Sequence, residues 1–193
     1  AWYKNTDGLG TFGTQIVVST AAIRASSVVV GDFNGDGHLD LASAAGNTIA
    51  WYKNTDGLGT FGAKIVVSTA ASGALSVAVG DFNGDGHLDL ASASAGDNKI
   101  AWYKNTDGLG TFGAQIVVST AAKYATSVAV GDFNGDGHLD LASASALDNK
   151  IAWYKNTDGL GTFGPQIVVS TATSYAFSVA VGDFNGDGHL DLA

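Results

Sequence analysis

The sequence predicts an all-β fold assembled from four similar repeats. All 18 acidic residues are Asp, 27 of the 193 residues are Gly, and no stretch places apolar residues at helical spacing. Runs such as Ser-Val-Ala-Val-Gly and Leu-Asp-Leu-Ala-Ser alternate in the manner of strands. The repeats are spaced by 49, 51 and 51 residues, measured between Trp2, Trp51, Trp102 and Trp153. Several short strands at such a period are typical of a β-propeller, so we predict four-stranded antiparallel blades.

Each blade is expected to contain strands A to D in chain order. In the first complete blade the prediction places A at 27–33, B at 39–45, C at 48–54 and D at 64–69. One domain is expected over residues 1–193, either a whole propeller or half of one. Its approximate repeat units are 1–49, 50–100, 101–151 and 152–193.

The two ends of the sequence each supply half of a blade. Strand C begins the chain at 1–5, and a shortened strand B ends it at 190–193. Because open strand edges aggregate, we expect the N-terminal C and D strands to pair with C-terminal A and B strands and close a ring. Closure within one chain would give four blades, and closure between two chains would give eight. Bulky aromatic and branched side chains at the predicted interfaces favour eight blades, and therefore a homodimer.

A loop with the spacing of a calcium site occurs four times. The phrase Val-Gly-Asp-Phe-Asn-Gly-Asp-Gly-His-Leu-Asp-Leu begins at Val30, Val79, Val130 and Val181. It places Asp, Asn, Asp and Asp at loop positions 1, 3, 5 and 9, with Gly at position 6. Three carboxylates within nine residues repel one another unless a cation neutralises them. A flexible all-oxygen loop suits Ca²⁺ better than Mg²⁺, so we predict about four Ca²⁺ ions per chain.

The expected ligands are the Asp and Asn side chains and the His backbone carbonyl of each loop. They are Asp32, Asn34, Asp36, His38, Asp40, Asp81, Asn83, Asp85, His87, Asp89, Asp132, Asn134, Asp136, His138, Asp140, Asp183, Asn185, Asp187, His189 and Asp191. The alternative is a metal-free Asp-Gly turn. The loop is not an EF-hand, because position 12 is Ser43, Ser92 or Ser143 instead of Glu and the flanks are strand-like.

The loop segment, together with a Phe-Gly pair about 20 residues before it, resembles the FG-GAP or VCBS repeat. That repeat builds the propellers of integrin α-subunits and occurs in many bacterial and fungal extracellular proteins, including adhesion proteins and fungal lectins. The resemblance implies calcium loops on the lower face of a propeller. It also implies an extracellular or cell-surface location, although the chain carries no signal peptide.

Composition argues against other classes of partner. Nine Lys and Arg residues are scattered along a chain of net charge -9, so no basic stripe for nucleic acid is expected. No apolar run approaches the roughly 20 residues of a membrane span. Cysteine is absent, which excludes disulfides. The start at Ala1 and the absence of Met lead us to expect an excised segment or an engineered repeat protein.

Three recurrent motifs invite functional readings that we do not favour. Gly8-Leu9-Gly10-Thr11-Phe12-Gly13 and its copies match a dinucleotide fingerprint, but a strand-like run follows where that site needs a helix. One His lies near Asp in every repeat, which is unlike a single active site, so no enzyme is expected. The Trp-Tyr pairs could stack on sugars, yet alternating strand residues more often pack against the two neighbouring blades.

The repeats differ mainly in the D to A and B to C loops, which should emerge on the face opposite the metal loops. Variable tips on a rigid scaffold are usual places for binding, although unconstrained tips also drift. Arg24, Lys123, Tyr124 and Tyr175 are the possible ligand face. The leading hypothesis is a calcium-stabilised, self-assembling scaffold. A carbohydrate-binding lectin and an extracellular protein-adhesion module remain as alternatives, with a glycan or protein as the ligand.

Overall fold

The computed structural model describes residues 1–193 and contains strands and turns only. Three four-stranded antiparallel sheets follow one another along the chain, and a two-stranded sheet ends the series. The strands are β1 (Ala25–Gly31), β2 (Asp40–Ala45), β3 (Thr48–Tyr52), β4 (Ile65–Ser68), β5 (Ala74–Gly80), β6 (Asp89–Ser94), β7 (Lys99–Tyr103), β8 (Ile116–Ser119), β9 (Ala125–Gly131), β10 (Asp140–Ser145), β11 (Lys150–Tyr154), β12 (Ile167–Ser170), β13 (Val181–Gly182) and β14 (Asp191–Leu192). We call β1–β4 blade 1, β5–β8 blade 2 and β9–β12 blade 3.

Two half-blades flank these three sheets. The N-terminal half-blade, residues 2–16, is held by β-bridges between Trp2 and Ile16 and between Asn5 and Phe12. The C-terminal half-blade consists of β13 and β14, which pair with each other alone. The ring closure that the sequence analysis expects is therefore not made within this chain. No helix in the structure has the length and apolar character needed to span a membrane.

The four predicted strands of blade 1 are confirmed, with shifted ends. Strand A ends at Gly31 instead of residue 33, because the Asp32 carboxylate draws the next amides into a turn. Strand C ends at Tyr52 instead of residue 54, because the Asn54 amide donates to the Asp40 carboxylate at 2.7 Å instead of continuing the ladder. Both shifts have the same cause, since side-chain carboxylates compete with strand pairing for backbone amides.

The register of strands B and C directs the two large aromatic side chains of strand C to opposite faces. Trp51 lies opposite Ala42, and Tyr52 lies opposite Leu41. Trp51 is buried in one hydrophobic cluster with Val77 of blade 2, so it packs toward the following blade.

The tyrosine of the next blade completes that cluster from the other side. Tyr103 is fully buried in the same cluster as Ala42 and Phe33 of blade 1, so it packs toward the preceding blade. Tyr154 occupies the corresponding place between blades 2 and 3. The expected core role of these aromatic side chains is thus confirmed.

Candidate metal loops

The four predicted metal loops connect strand A to strand B. In blade 1 the loop lies beside the C–D loop of the same blade, because a Cβ built on Gly57 would lie 2.6 Å from His38 Nε2. It also reaches the following blade, because a Cβ on Gly35 would lie 3.5 Å from the Gly108 carbonyl oxygen. The metal loops and the C–D loops therefore share one end of the blades.

The first carboxylate of each loop organises the turn. Asp32 Oδ1 accepts hydrogen bonds from the Gly35 and Asp36 amides at 2.8 and 3.2 Å, and Oδ2 accepts one from the Gly37 amide at 2.8 Å. Gly35 and Gly37 have φ values of 71° and 82°, which glycine adopts without steric cost. Equivalent bonds are made by Asp81, Asp132 and Asp183.

In blades 1 to 3 the last carboxylate of the loop is buried and joins three segments of the blade, whereas Asp191 of the fourth loop is half-buried and accepts only from the Phe184 amide. Asp40 Oδ2 accepts from the Phe33 amide at 3.1 Å and from Asn34 Nδ2 at 2.9 Å. Its Oδ1 accepts from the Asn54 amide at 2.7 Å, at the end of strand C. A charged group buried in this way is stable because its oxygens are paired with donors.

In blades 1 to 3 the middle carboxylate of the loop is paired with the lysine that directly follows strand C. Lys53 Nζ lies 3.0 Å from Asp36 Oδ2, and the same pair recurs between Lys104 and Asp85 at 3.2 Å. The hydrogen bond from Lys53 holds the pKa of Asp36 below its usual value. The sequence analysis missed this lysine, because its distance from the loop along the chain hides the contact.

Electrostatic strain remains at the buried end of the loop. Burial raises the pKa of Asp40, and the charges of Asp36 and Asp32 raise it further. The same causes raise the pKa of Asp89 to about 6, although it accepts hydrogen bonds from two amides. Carboxylates of one loop thus repel one another, and a bound divalent cation would offset that repulsion.

In blades 1 and 2 the asparagine at position 3 leaves an oxygen free, whereas Asn134 Oδ1 and Asn185 Oδ1 of the other two loops accept from the Asp136 and Asp187 amides at 3.0 and 2.9 Å. Asn34 Oδ1 and Asn83 Oδ1 are buried and have no hydrogen-bond partner, while the amide nitrogens of both side chains donate to the buried Asp of their loops. A buried polar oxygen without a partner is costly, and the amide oxygen of Asn is a usual ligand of Ca²⁺. This oxygen is the observation that points most directly to a cation.

The donor set therefore fits Ca²⁺, although the side chains do not converge as a finished cage. No group of three or more acidic or histidine side chains is placed to hold a metal ion. Asp36 faces Lys53, and Asp40 faces backbone amides. An ion held by the oxygens of Asp32, Asn34, Asp36 and Asp40 and by the His38 carbonyl would require Asp36 to exchange its lysine for the metal. The ion would supply the positive charge that the loop lacks.

The whole chain matches one family model. The model describes an FG-GAP-like repeat and matches residues 1–43, 32–92, 81–143 and 133–193. The chain belongs to the FG-GAP-like repeat family. None of the curated proteins compared with it matches.

Solved structures similar to this FG-GAP-like chain include a lectin. A lectin of Agrocybe aegerita, described as specifically recognising non-reducing terminal N-acetylglucosamine, superposes with a TM-score of 0.67 and 22% identity. The match covers 98% of this chain and 53% of the lectin, so this chain spans about half its length. The V. cholerae biofilm matrix protein Bap1 matches with a TM-score of 0.46 and 23% identity, over 89% of this chain and 28% of that chain.

The Gly-x-Gly-x-x-Gly motif of the FG-GAP-like repeat makes room for tryptophan. A Cβ built on Gly110 would lie 2.3 Å from Trp51 Cζ2 of the preceding blade, and the same distance separates Gly161 from Trp102. A strand follows the motif in each blade, so the reading as a C–D loop is confirmed. Sequence reasoning missed the socket for the indole because its two sides come from adjacent repeats.

The possible ligand face is exposed and strained. Arg24, Lys123, Tyr124 and Tyr175 all have exposed side chains. Three of them, Arg24, Tyr124 and Tyr175, have φ between 55° and 59°, a left-handed conformation that is costly for large side chains. The amides of Tyr124 and Tyr175 donate to Asn98 Oδ1 and Asn149 Oδ1 of the preceding blade at 2.8 and 2.9 Å. In blade 2 glycine takes the same position, as Gly73 with φ of 61°.

Proposed function

We propose that the chain is a non-enzymatic, calcium-stabilised propeller module that works as an extracellular scaffold assembled from two copies. Calcium would bind the A–B loop of every blade. It would tie strand A, strand B and the end of strand C together, since the Asp at position 9 already contacts all three. The ion would neutralise the charge of the loop carboxylates. The residues of the chain would hold the ligand oxygens in place.

The observation that carries this proposal is the unpartnered Asn34 Oδ1 within a loop of three carboxylates. A metal-free turn would explain the Asp32 hydrogen bonds to the loop amides, and also the third and fourth loops, where the Asn oxygen accepts from an Asp amide. It would not explain the buried Asn34 and Asn83 oxygens, which have no donor. Four repetitions of the loop, one per repeat, fit a structural role better than a single reaction centre.

Thermal unfolding with and without calcium tests the proposal. A site held at tenfold above its Kd adds about 1.4 kcal/mol, or about 3 °C for a chain of this size. We expect Kd values of about 10⁻⁴ to 10⁻³ M, the range of extracellular calcium modules. Chelation should therefore lower the melting temperature, and Ca²⁺ should restore it.

A matched pair of variants assigns the effect to the loop. Asp36→Ala should reduce the calcium-dependent gain by about one site in four. Asp56→Ala removes a carboxylate from the nearby C–D loop, where it accepts from the Leu58 amide at 2.8 Å, and should leave the gain intact. Melting that is unchanged by chelation in the unaltered protein would count against calcium.

A second candidate function is carbohydrate binding at the ligand face. The observation that favours it is the left-handed conformation of Tyr124 and Tyr175 at a position where Gly73 does the same turn without strain. Strain that a glycine would relieve is often retained for function. Exposed tyrosines also provide flat faces on which sugar rings can stack. The similar lectin is described as recognising N-acetylglucosamine, and we extend that ligand class to this chain only as a hypothesis.

Replacing these tyrosines by glycine tests whether they are retained for sugar binding or vary because nothing constrains the loop tips. If the tyrosines bind sugar, Tyr124→Gly and Tyr175→Gly should abolish binding on a glycan array while stability stays equal or rises by about 0.5–1 kcal/mol. The control Leu58→Gly changes an exposed side chain at the opposite end of the blade. A glycan array that remains blank with the unaltered protein removes this candidate.

A further inference from the structure

Every interface between blades in the chain uses one leucine and one glycine. A Cβ built on Gly31 would lie 2.9 Å from Leu88 Cδ1 of the following blade. The same 2.9 Å contact pairs Gly80 with Leu139 and Gly131 with Leu190. Leucine from the A–B loop of one blade therefore fills a place that glycine leaves open at the end of strand A in the preceding blade.

One leucine and one glycine of this series have no mate in the chain. Leu39 is 62% exposed, although it is the equivalent of Leu88 and Leu139. Gly182 contacts no leucine, although it is the equivalent of Gly31. The free leucine lies on blade 1, and the free glycine lies on the C-terminal half-blade.

One valine of each repeat is also buried against the preceding blade, except in blade 1. Val77, Val128 and Val179 are 3%, 6% and 6% exposed, and each amide donates to a serine of the preceding blade at 3.2–3.3 Å. Val28, their equivalent in blade 1, is 62% exposed and donates to no serine. The equivalent of the accepting serine is Ser178, beside the C-terminal half-blade.

Two buried hydroxyl groups are unpaired on the same face of blade 1. In blade 2 the Ser92 and Tyr103 hydroxyls lie 3.0 Å apart, and Gln115 Nε2 donates to Tyr103 at 2.9 Å. The equivalent Ser43 Oγ and Tyr52 OH have no partner. They line an open cavity of about 270 Å³ together with Val28 and Leu41. Because Tyr103 packs against the preceding blade, this cavity marks the place where strands of a preceding blade belong.

The opposite end of the chain carries the complementary surface. Phe33 is 0% exposed because it lies edge-on between Trp51 and Phe112, with ring centroids 6.1 Å away in both cases. Asn105 Nδ2 of blade 2 also donates to the Phe33 carbonyl at 2.8 Å. The equivalent Phe184 is 61% exposed.

We propose that the C-terminal half-blade of a second copy of this chain docks on the exposed face of blade 1. The proposal rests on the scaffold function above and specifies its joint. Leu39 enters the place beside the second copy's Gly182, Val28 is covered beside the second copy's Ser178, and the second copy's Phe184 packs between Trp2 and Phe61. Asn54 Nδ2 donates to the Phe184 carbonyl of the second copy, as Asn105 does to Phe33.

The same docking completes a blade from two halves. Strands B and C of blade 1 pair Leu41 with Tyr52 and Ala42 with Trp51. The equivalent register across the joint pairs Leu192 with Tyr3 and Ala193 with Trp2 of the other copy. Lys4 then reaches Asp187, as Lys53 reaches Asp36, so the fourth metal loop draws on both copies.

The blade number of this chain favours an assembly of two copies. Val28 and Phe184 are both exposed, so the two ends of one chain do not cover each other. Each chain contributes four blades, namely three complete blades and two halves. Propellers have typically 4–8 blades, so two chains related by a two-fold axis close the ring at eight.

Light scattering with a charge at the joint tests this docking. The unaltered chain should have twice the 19.5 kDa mass of one chain, and Leu39→Asp should return the mass to 19.5 kDa with an unchanged β circular-dichroism signal. Leu58→Asp, at a leucine that is 82% exposed and lies outside the joint, should keep the doubled mass. A doubled mass for Leu39→Asp would refute the proposed contact at Leu39, although it would leave the dimer itself standing. A mass of 19.5 kDa for the unaltered chain would overturn the assembly. The calcium proposal would then still be tested separately, by the effect of Ca²⁺ on the melting temperature.

Complementation between two variants distinguishes the loss of a joint from the misfolding of a variant. Gly182→Leu fills the place of the incoming leucine, so this variant alone and Leu39→Asp alone should each be single chains. Their mixture restores one joint, because the Leu39 of one variant meets the Gly182 of the other. We expect the mixture to form dimers at least tenfold more tightly than either variant alone. A mixture that stays as single chains would refute the direction of docking.

Discussion

The Lys53 ammonium lies 3.0 Å from the Asp36 carboxylate, within the loop where the sequence predicts a calcium ligand. The lysine neutralises one of three carboxylates in the absence of metal. It would also compete with a bound cation for the same oxygen. Lys53 would therefore weaken calcium binding in blade 1, and Lys104 and Lys155 would do the same in blades 2 and 3.

The first prediction concerns this competition. Lys53→Met keeps the length of the side chain and removes its charge, so one calcium site should bind roughly two- to fivefold more tightly, given the small worth of exposed ion pairs. The melting temperature in chelator should fall, because the carboxylates lose their counter-charge. Isothermal titration with Ca²⁺ measures the affinity. Lys123→Met, on the opposite face, is the control, and equal affinities of the two variants would contradict the prediction.

The loops and strands could be predicted from the sequence because their causes are local. The Asp and Gly spacing from Asp32 to Gly37 determines the turn, and the alternation of apolar residues determines the strands. The place of Gly110 under Trp51 could not be predicted, because its two sides lie about one repeat apart in the sequence. The Lys53 contact to Asp36 was missed for the same kind of reason. The proposed pairing of Leu39 with Gly182 of a second copy could not be predicted either, because it depends on comparing the exposure of equivalent residues, which only a structure provides.

The second prediction concerns the socket for tryptophan. Gly110 has φ of 87°, and an added Cβ would lie 2.3 Å from Trp51 Cζ2. Gly110→Ala should therefore cost about 2–4 kcal/mol from overpacking and backbone strain together. Gly113→Ala is the control, because its added Cβ would meet Thr106 Cγ2 at an ordinary 3.4 Å. Urea unfolding measures both, and equal costs would contradict the socket.

The third prediction concerns acid sensitivity at the B–C hairpin of blade 2. Burial alone would raise the pKa of Asp97, but hydrogen bonds from Ser94 at 2.6 Å and from Lys99 hold it below its usual value. A depressed pKa in the folded state stabilises the protein above the unfolded pKa, and this stabilisation is lost as pH falls through the folded pKa.

The variant Asp97→Asn tests whether the stabilisation by Asp97 is lost as pH falls. At pH 7 the variant should melt about 2 °C lower than the unaltered protein, because a partly exposed pair contributes little. The difference should shrink as pH falls below the unfolded pKa of about 3.9 and through the lower folded pKa, because Asp97 then becomes protonated in both states. A difference that persists undiminished at pH 2 would show that the side chain acts through packing instead of charge.

The last prediction compares two equivalent asparagines in different settings. Asn105 is buried, and its Nδ2 donates to the Phe33 carbonyl of the preceding blade at 2.8 Å and to the Leu88 carbonyl at 3.3 Å. Asn105→Ala leaves two buried carbonyls without that donor and should cost about 1–3 kcal/mol at every protein concentration. Asn5, its equivalent in the N-terminal half-blade, is exposed in the single chain.

Under the proposed docking, Asn5 donates to the Phe133 carbonyl of the second copy. Within the chain Asn5 Oδ1 accepts one exposed hydrogen bond, from the Gly8 amide at 2.9 Å. Asn5→Ala should therefore change the unfolding of dilute single chains by less than about 1 kcal/mol and raise the dissociation constant of the dimer by about tenfold, which corresponds to about 1.4 kcal/mol over the two joints together. Sedimentation at several concentrations measures the association, and chemical unfolding of dilute protein measures the fold. If Asn5→Ala destabilised the dilute chain as much as Asn105→Ala does, the Asn5 side chain would already donate to a buried carbonyl within one chain. The N-terminal half-blade would then need no second copy, which would contradict the proposed docking.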